Sequence, residues 1–345
     1  MASKAILLAV VVLVASSVNA HSAVAGVWTQ IVCAAAGPAP IEGMTPLSAG
    51  TAATATDRCN PATGGLVALV SSATAVAPGT AASWTYKAPG SSTIAGGTIS
   101  LSLFAPGGLA YVATPGPAFD PANTLAFCIS TAACGASVGG QLTAVVPINH
   151  PGGTQIYQVA ECLGSCPAGG GGAGLFAQAN VFGMSIRLIN NARPAGSAFA
   201  GGLLTGAGGT QPLTFTATDP GGPGIFDLIV MMDGRTIYDK TPDANGGHCV
   251  PSGRDADGVN QWLYAQPCPS TLSVSVPVDT TQFADGPHVL HVVVSDAAGN
   301  SSVVLDRTIT IANRESSAAG SGSTGPNAGN VANGRGACAA AQLTA

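Results

Sequence analysis

Between Thr98 and Phe104 the chain reads TISLSLF, with Ile99, Leu101 and Leu103 on one face and Ser100, Ser102 and Phe104 on the other. This strict period of two is the repeat of a half-buried β-strand. Short β-prone runs recur at Gly65–Val70, Ala82–Tyr86, Leu142–Ile148, Gln155–Ala160 and Phe182–Leu188. Further on, Pro212–Asp219, Phe226–Met232, Leu272–Val278 and Ser302–Ile311 do the same, and Asp233-Gly234 has the composition of a hairpin turn. Nowhere do apolar residues keep helical spacing for three turns. The expectation is therefore an all-β chain of sandwich type, its strands punctuated by Gly, Pro and Thr.

Charge divides this chain. Residues 21–193 carry four acids (Glu42, Asp57, Asp120, Glu161) and four bases, whereas residues 194–313 carry eleven aspartates against four bases. A Gly/Ala/Pro-rich stretch from Pro194 to Thr210 lies between them and reads as a linker with an entering strand. The spacing of turn clusters predicts a β-sandwich over 21–193, which the resemblance given below makes jelly-roll-like. An immunoglobulin-like sandwich of about seven strands is expected over 194–313. Residues 314–345 are rich in Ser, Gly and Asn and read as a flexible tail, cut short before a third domain.

Lys4, the apolar run Ala5–Ala15 and the small residues before Ala20 read as a secretory signal peptide over residues 1–20. Eleven apolar residues are too few to span a bilayer. The mature chain is expected outside the cell, with no membrane insertion after cleavage. All nine cysteines follow Ala20, which suits an oxidising compartment. The order of the cysteines leaves connectivity open. The simplest local scheme pairs Cys33 with Cys59, Cys128 with Cys134, Cys162 with Cys166 and Cys249 with Cys268, leaving Cys338 over. Zinc at Cys162 and Cys166 is the rival, but no second Cys/His pair lies at zinc-site spacing.

A formal charge of −5 and scarce Lys and Arg leave no electrostatic footprint for nucleic acid. Nucleophilic catalysis finds little material either. Gly-x-Ser-x-Gly is absent, and His288 and His291 stand three apart on an expected strand, hence on opposite faces. A glycosidase needs two carboxyl groups across one bond, and the first region offers only four scattered acids. Cleavage after Ala20 would make His21 the first residue, where amine and imidazole chelate copper if a partner such as His150 is near. Asp255, Asp257 and Asn260 present oxygens at alternating positions of a Gly-bearing loop, a fragment of a calcium pattern without its closing Glu. Trp262 and Tyr264, beside that loop, are the expected exposed pair for stacking on sugar rings.

The Trp84-x-Tyr86-x-Ala88-Pro89 run with Ile94 is followed by the Cys128/Cys134 and Cys162/Cys166 pairs. Asp285-Gly286, His288 and Asp296-Ala-Ala-Gly-Asn300 come next. In this order they resemble a group of uncharacterised secreted actinobacterial proteins over residues 27–313. The resemblance implies a concanavalin-like jelly roll followed by a bacterial Ig-like domain, and no established chemistry. The functional expectation is a non-catalytic secreted or cell-surface module, adhesive or structural, whose partner is a glycan or a cell-surface protein. Its only cofactor would be calcium at the acidic loop. The alternative is an extracellular polysaccharide-active enzyme, either a carboxylate glycosidase or a copper oxidase through His21.

Overall fold

A computed structural model describes residues 26–33, 40–59, 64–114, 116, 118–120, 123–129, 141–149, 151–164, 166, 174–206 and 208–313. The expected signal peptide, His21, Cys134, His150, Cys338 and the tail all lie outside them. The described residues form strands and three short 3-10 turns, with no α-helix.

The first region contributes β1 (Val27–Val32), β2 (Met44–Ala49), β3 (Ala53–Asp57), β4 (Leu66–Ser71), β5 (Ala81–Lys87) and β6 (Thr93–Phe104). It continues with β7 (Leu109–Ala113), β8 (Thr124–Ile129), β9 (Gln141–Pro147), β10 (Gln155–Glu161) and β11 (Leu175–Ile189). The second region adds β12 (Ala195–Ala200), β13 (Thr210–Thr218), β14 (Ile225–Met232), β15 (Arg235–Lys240), β16 (Gly253–Arg254) and β17 (Asn260–Trp262). It ends with β18 (Thr271–Asp279), β19 (Gly286–Asp296) and β20 (Ser301–Ile311).

Four sheets make two sandwiches. In the first, a five-stranded sheet ordered β2-β5-β10-β7-β8 faces an eight-stranded sheet built around the long β11. One edge of β11 pairs with β4 along its first half and β1 along its second, while the other edge pairs with β6, which in turn pairs with β9. The alternation at Ile99, Leu101 and Leu103 does what its period requires, and all three are fully buried. The second sandwich packs β12-β13-β18 against β15-β14-β19-β20 around Leu213, Val230, Val276, Val292 and their neighbours. Seven strands in two antiparallel sheets is the expected immunoglobulin-like count. Asp233 and Gly234 both take positive φ, the requirement of a type I′ hairpin, and join β14 to β15.

The stretch expected as a linker already contains β12, the first strand of the second sandwich. The division at 193/194 also has an exception of larger consequence. β17 pairs in parallel with β1, Thr29 opposite Gln261 and Gln30 opposite Trp262, and β16 pairs with β17. A hairpin of the second region thus extends the first region's large sheet. Trp262, Cys249, Cys268, Ala297 and Ala298 belong to the same buried cluster as Trp28, Trp84 and Tyr86. The second region thus buries these side chains in the first sandwich's core, while its own core around Leu213 and Val292 is a separate cluster.

Disulfides join Cys33 to Cys59, Cys162 to Cys166 and Cys249 to Cys268, as the local scheme has it. Cys128 is also oxidised. With Cys162 and Cys166 joined, they are not a zinc pair. No helix among the described residues is long and apolar enough to cross a membrane.

Candidate polysaccharide-binding face

The outer surface of the eight-stranded sheet carries the side chains that the core-facing set leaves over. Register places Gln178 of β11, Phe104 of β6 and Gln141 of β9 in one row across three strands. Asn180, Ser102 and Thr143 form the next row. Gln178 Nε2 donates to Asn180 Oδ1 at 3.0 Å, and the Thr143 hydroxyl donates to Ser102 Oγ at 3.1 Å. Ser102, Phe104, Gln141, Gln178 and Asn180 line an open cleft of about 190 Å³. Its lining has amides, a hydroxyl and one half-buried aromatic ring, and no ionisable side chain. A β-bulge between Val181 and Gly183 switches the parity of β11 beyond the cleft, so that odd-numbered Ser185 and Arg187 continue the face of Gln178 and Asn180.

Arg187 closes that face at its far end. Its guanidinium reaches Asp255 Oδ2 at 2.7 Å and Asp257 Oδ2 at 2.5 Å, across the seam. Asp255 is fully engaged. Its Oδ2 also accepts the Thr29 hydroxyl at 3.1 Å, while Oδ1 accepts the Asp257 N–H at 3.0 Å and the Val259 N–H at 2.9 Å. At the positions expected to hold calcium, Asp255, Asp257 and Asn260, the two carboxylates are paired with Arg187. An arginine occupies the position between the two carboxylates that a cation would need, and Asn260 serves as a strand residue opposite Arg254. No group of three or more His, Cys, Asp or Glu suited to a metal occurs among the described residues.

Burial works against the charged form of Asp255, but Arg187, the Val259 N–H and the Thr29 hydroxyl outweigh it. They hold its carboxyl below the usual aspartate range. A lowered folded-state pKa contributes stability that is present above about pH 4 and is lost as pH falls through the folded value. Arg187→Ala is therefore expected to cost about 1–2 kcal/mol at pH 7. The gap from the wild type should narrow as pH falls below the ordinary aspartate range, which urea unfolding across a pH series measures.

The stacking expectation at Trp262 and Tyr264 is corrected too. Trp262 has no exposed surface and packs edge-on against Phe226, with centroids 5.2 Å apart. The ring of Tyr264 is half-buried and already stacked on His248 at 3.6 Å. Trp28 and Trp84 are core residues, and the Trp84 indole donates to the Val67 carbonyl. The aromatic ring on a polar face is Phe104, visible in the sequence as the large apolar residue on the serine side of β6.

The acids of the first region do not gather. Glu42 accepts the Ala265 N–H, Asp57 accepts the Cys59 N–H, and Asp120 accepts from the Asn123 side chain. Glu161 is raised by burial and lies on β10 of the opposite sheet. His288 bridges Asp233 and the Ala284 carbonyl, and His291 stands 3.6 Å from Asp306.

No protein-family model matches the chain, and no curated protein matches it. Among solved structures, it is similar to the glycoside hydrolase domain of Spr0440 (Endo-D) from Streptococcus pneumoniae R6. Identity there is 14%, with a TM-score of 0.22, and the match covers 77% of this chain and 37% of that one. It is also similar to the fibronectin(III)-like modules of CbhA from Clostridium thermocellum. That match has 11% identity and a TM-score of 0.21, covering 68% of this chain and 85% of that one. At these scores neither likeness carries an argument about function.

Proposed function

We propose that the protein is an exported, non-catalytic glycan-binding module, and that a neutral polysaccharide chain lies across the outer face of its eight-stranded sheet. The observation that carries this reading is the cross-strand row Gln178–Phe104–Gln141, with Asn180, Ser102 and Thr143 beside it. Amide and hydroxyl groups offer donors and acceptors to sugar hydroxyls, and an aromatic ring offers apolar area to the C–H face of a pyranose. The cleft is smaller than the roughly 300–1,000 Å³ pockets that enclose small ligands, so it suits one or two rings of a longer chain. Because its lining bears no charge, uronic acid and sulfated chains would find no ion pair there, and a neutral chain loses nothing. The lack of a carboxylate in that lining supports binding over hydrolysis. Three disulfides support the exported setting.

Calorimetry or affinity electrophoresis against neutral glucan, xylan and galactomannan, beside polygalacturonate and hyaluronan, tests the proposal. At least one neutral chain is expected to bind, and Phe104→Ala to weaken it about tenfold with the fold retained. Absence of binding to every chain by the folded protein would overturn the glycan reading in favour of a structural spacer. Binding unchanged in Phe104→Ala would move the site elsewhere.

A further inference from the structure

The β-bulge in β11 also places a second aromatic ring on the outer face of the eight-stranded sheet. Val181 lies opposite Leu101 and Met184 opposite Ile99, and all four side chains are buried in the core. Between these core-facing pairs β6 has one residue, Ser100, whereas β11 has two, Phe182 and Gly183. The pleat turns Ser100 outward, so the doubled position of β11 faces outward with it. Phe182 is accordingly half-buried, and no core cluster among the described residues includes it or packs against it. On the other side of Ser100 the register sets Val145 of β9, which is 68% exposed.

A row Phe182–Ser100–Val145 thus crosses the same three strands as the row Gln178–Phe104–Gln141. The two rows stand four residues apart along β6, about 13 Å at the rise of a strand. Between them runs the polar row Asn180–Ser102–Thr143, and beyond Ser100 comes Ser185–Thr98–Pro147. Over this whole stretch the outward side chains of β11, β6 and β9 include no ionisable group. The next outward side chain of β11 is Arg187, and its charge is met by Asp255 and Asp257.

One pyranose ring cannot touch both Phe104 and Phe182 across that distance, whereas a chain laid along β6 meets both. We propose that Phe182 and Val145 form a second apolar subsite of this face, so that it takes a run of consecutive rings from an extended neutral polysaccharide whose axis follows β6. The second subsite rests on the glycan reading of the Phe104 row and adds to it the length and direction of the bound chain. Phe182 and Val145 offer apolar area to the C–H face of a ring, and Ser100 and Asn180 offer hydrogen bonds beside it. Both subsites belong to one sheet, so a chain held at the first reaches the second intramolecularly and gains affinity with length.

Calorimetry with di- and hexasaccharides of β-linked glucose, xylose and mannose tests this on the wild type, Phe182→Ala and Val145→Ser. For a sugar that binds, the wild type is expected to hold the hexasaccharide about tenfold tighter than the disaccharide, or more. Phe182→Ala should cut that ratio to about twofold with the disaccharide affinity unchanged, and Val145→Ser should lower it in the same direction. Val145 is exposed, so Val145→Ser keeps its fold and carries the test if Phe182→Ala does not fold. A wild type that binds a neutral polysaccharide but shows a ratio near one, or no hexasaccharide binding, would overturn the second subsite alone. A length dependence that survives the substitutions would overturn it too, by placing the extra contacts elsewhere. Absence of binding to every chain, short or long, would overturn the glycan reading and the second subsite together.

Discussion

Trp262→Ala is expected to lower the unfolding free energy by about 3–5 kcal/mol, the range for deleting a fully buried aromatic side chain. Trp262 has no exposed surface, closes edge-on against Phe226 and stands opposite Gln30 of β1. Its removal leaves a cavity at the seam, where neither sandwich alone can collapse onto it. Had the side chain been a surface platform for sugars, the same substitution would fall within about 0.5 kcal/mol of the wild type. Equilibrium urea unfolding separates these outcomes without ambiguity. Glycan binding at the Phe104 row is expected to survive Trp262→Ala wherever the protein remains folded, because Phe104 and Gln178 belong to a different part of the sheet.

Why the sequence misleads at Trp262 is a matter of range. Locally, Asp255 to Tyr264 is an acidic, Gly-bearing segment between two cysteines, the composition of an exposed loop. What buries it is β1, more than two hundred residues earlier, through a parallel pairing that no local period announces. A shorter but still non-local separation, 68 residues, hides Arg187 as the partner of Asp255, so the alternating oxygens resemble a cation loop. Features set by neighbours in the chain were legible. The alternation of β6, the Asp233-Gly234 turn and the short-range disulfides Cys162–Cys166 and Cys249–Cys268 each depend on contacts within a strand, a hairpin or one loop. The candidate face falls between these cases. Phe104 on the serine side of β6 was readable, but its neighbours Gln141 and Gln178 are assembled by strand register.

Replacing both Cys249 and Cys268 by serine is expected to cost about 3 kcal/mol, from the chain entropy that a crosslink of this span removes from the unfolded state. The bond closes a separation of 19 residues, and that loop carries β16, β17, Trp262 and both partners of Arg187. Its loss therefore falls on the hairpin that the second region lends to the first region's sheet. In the wild type the side chains that the second region buries in the first sandwich's core should make both sandwiches unfold in one transition. In the double variant the hairpin is expected to detach first, exposing the edge of β1. Amide exchange at Thr29 and Gln30 should then accelerate well ahead of exchange in β13 and β18, and the unfolding curve should split in two. If the curve stays single and Thr29 and Gln30 stay protected, the hairpin is not what unites the molecule. Cohesion would then rest on the Asn190–Asn300 contact, and Asn300→Ala would be the substitution that divides the transition.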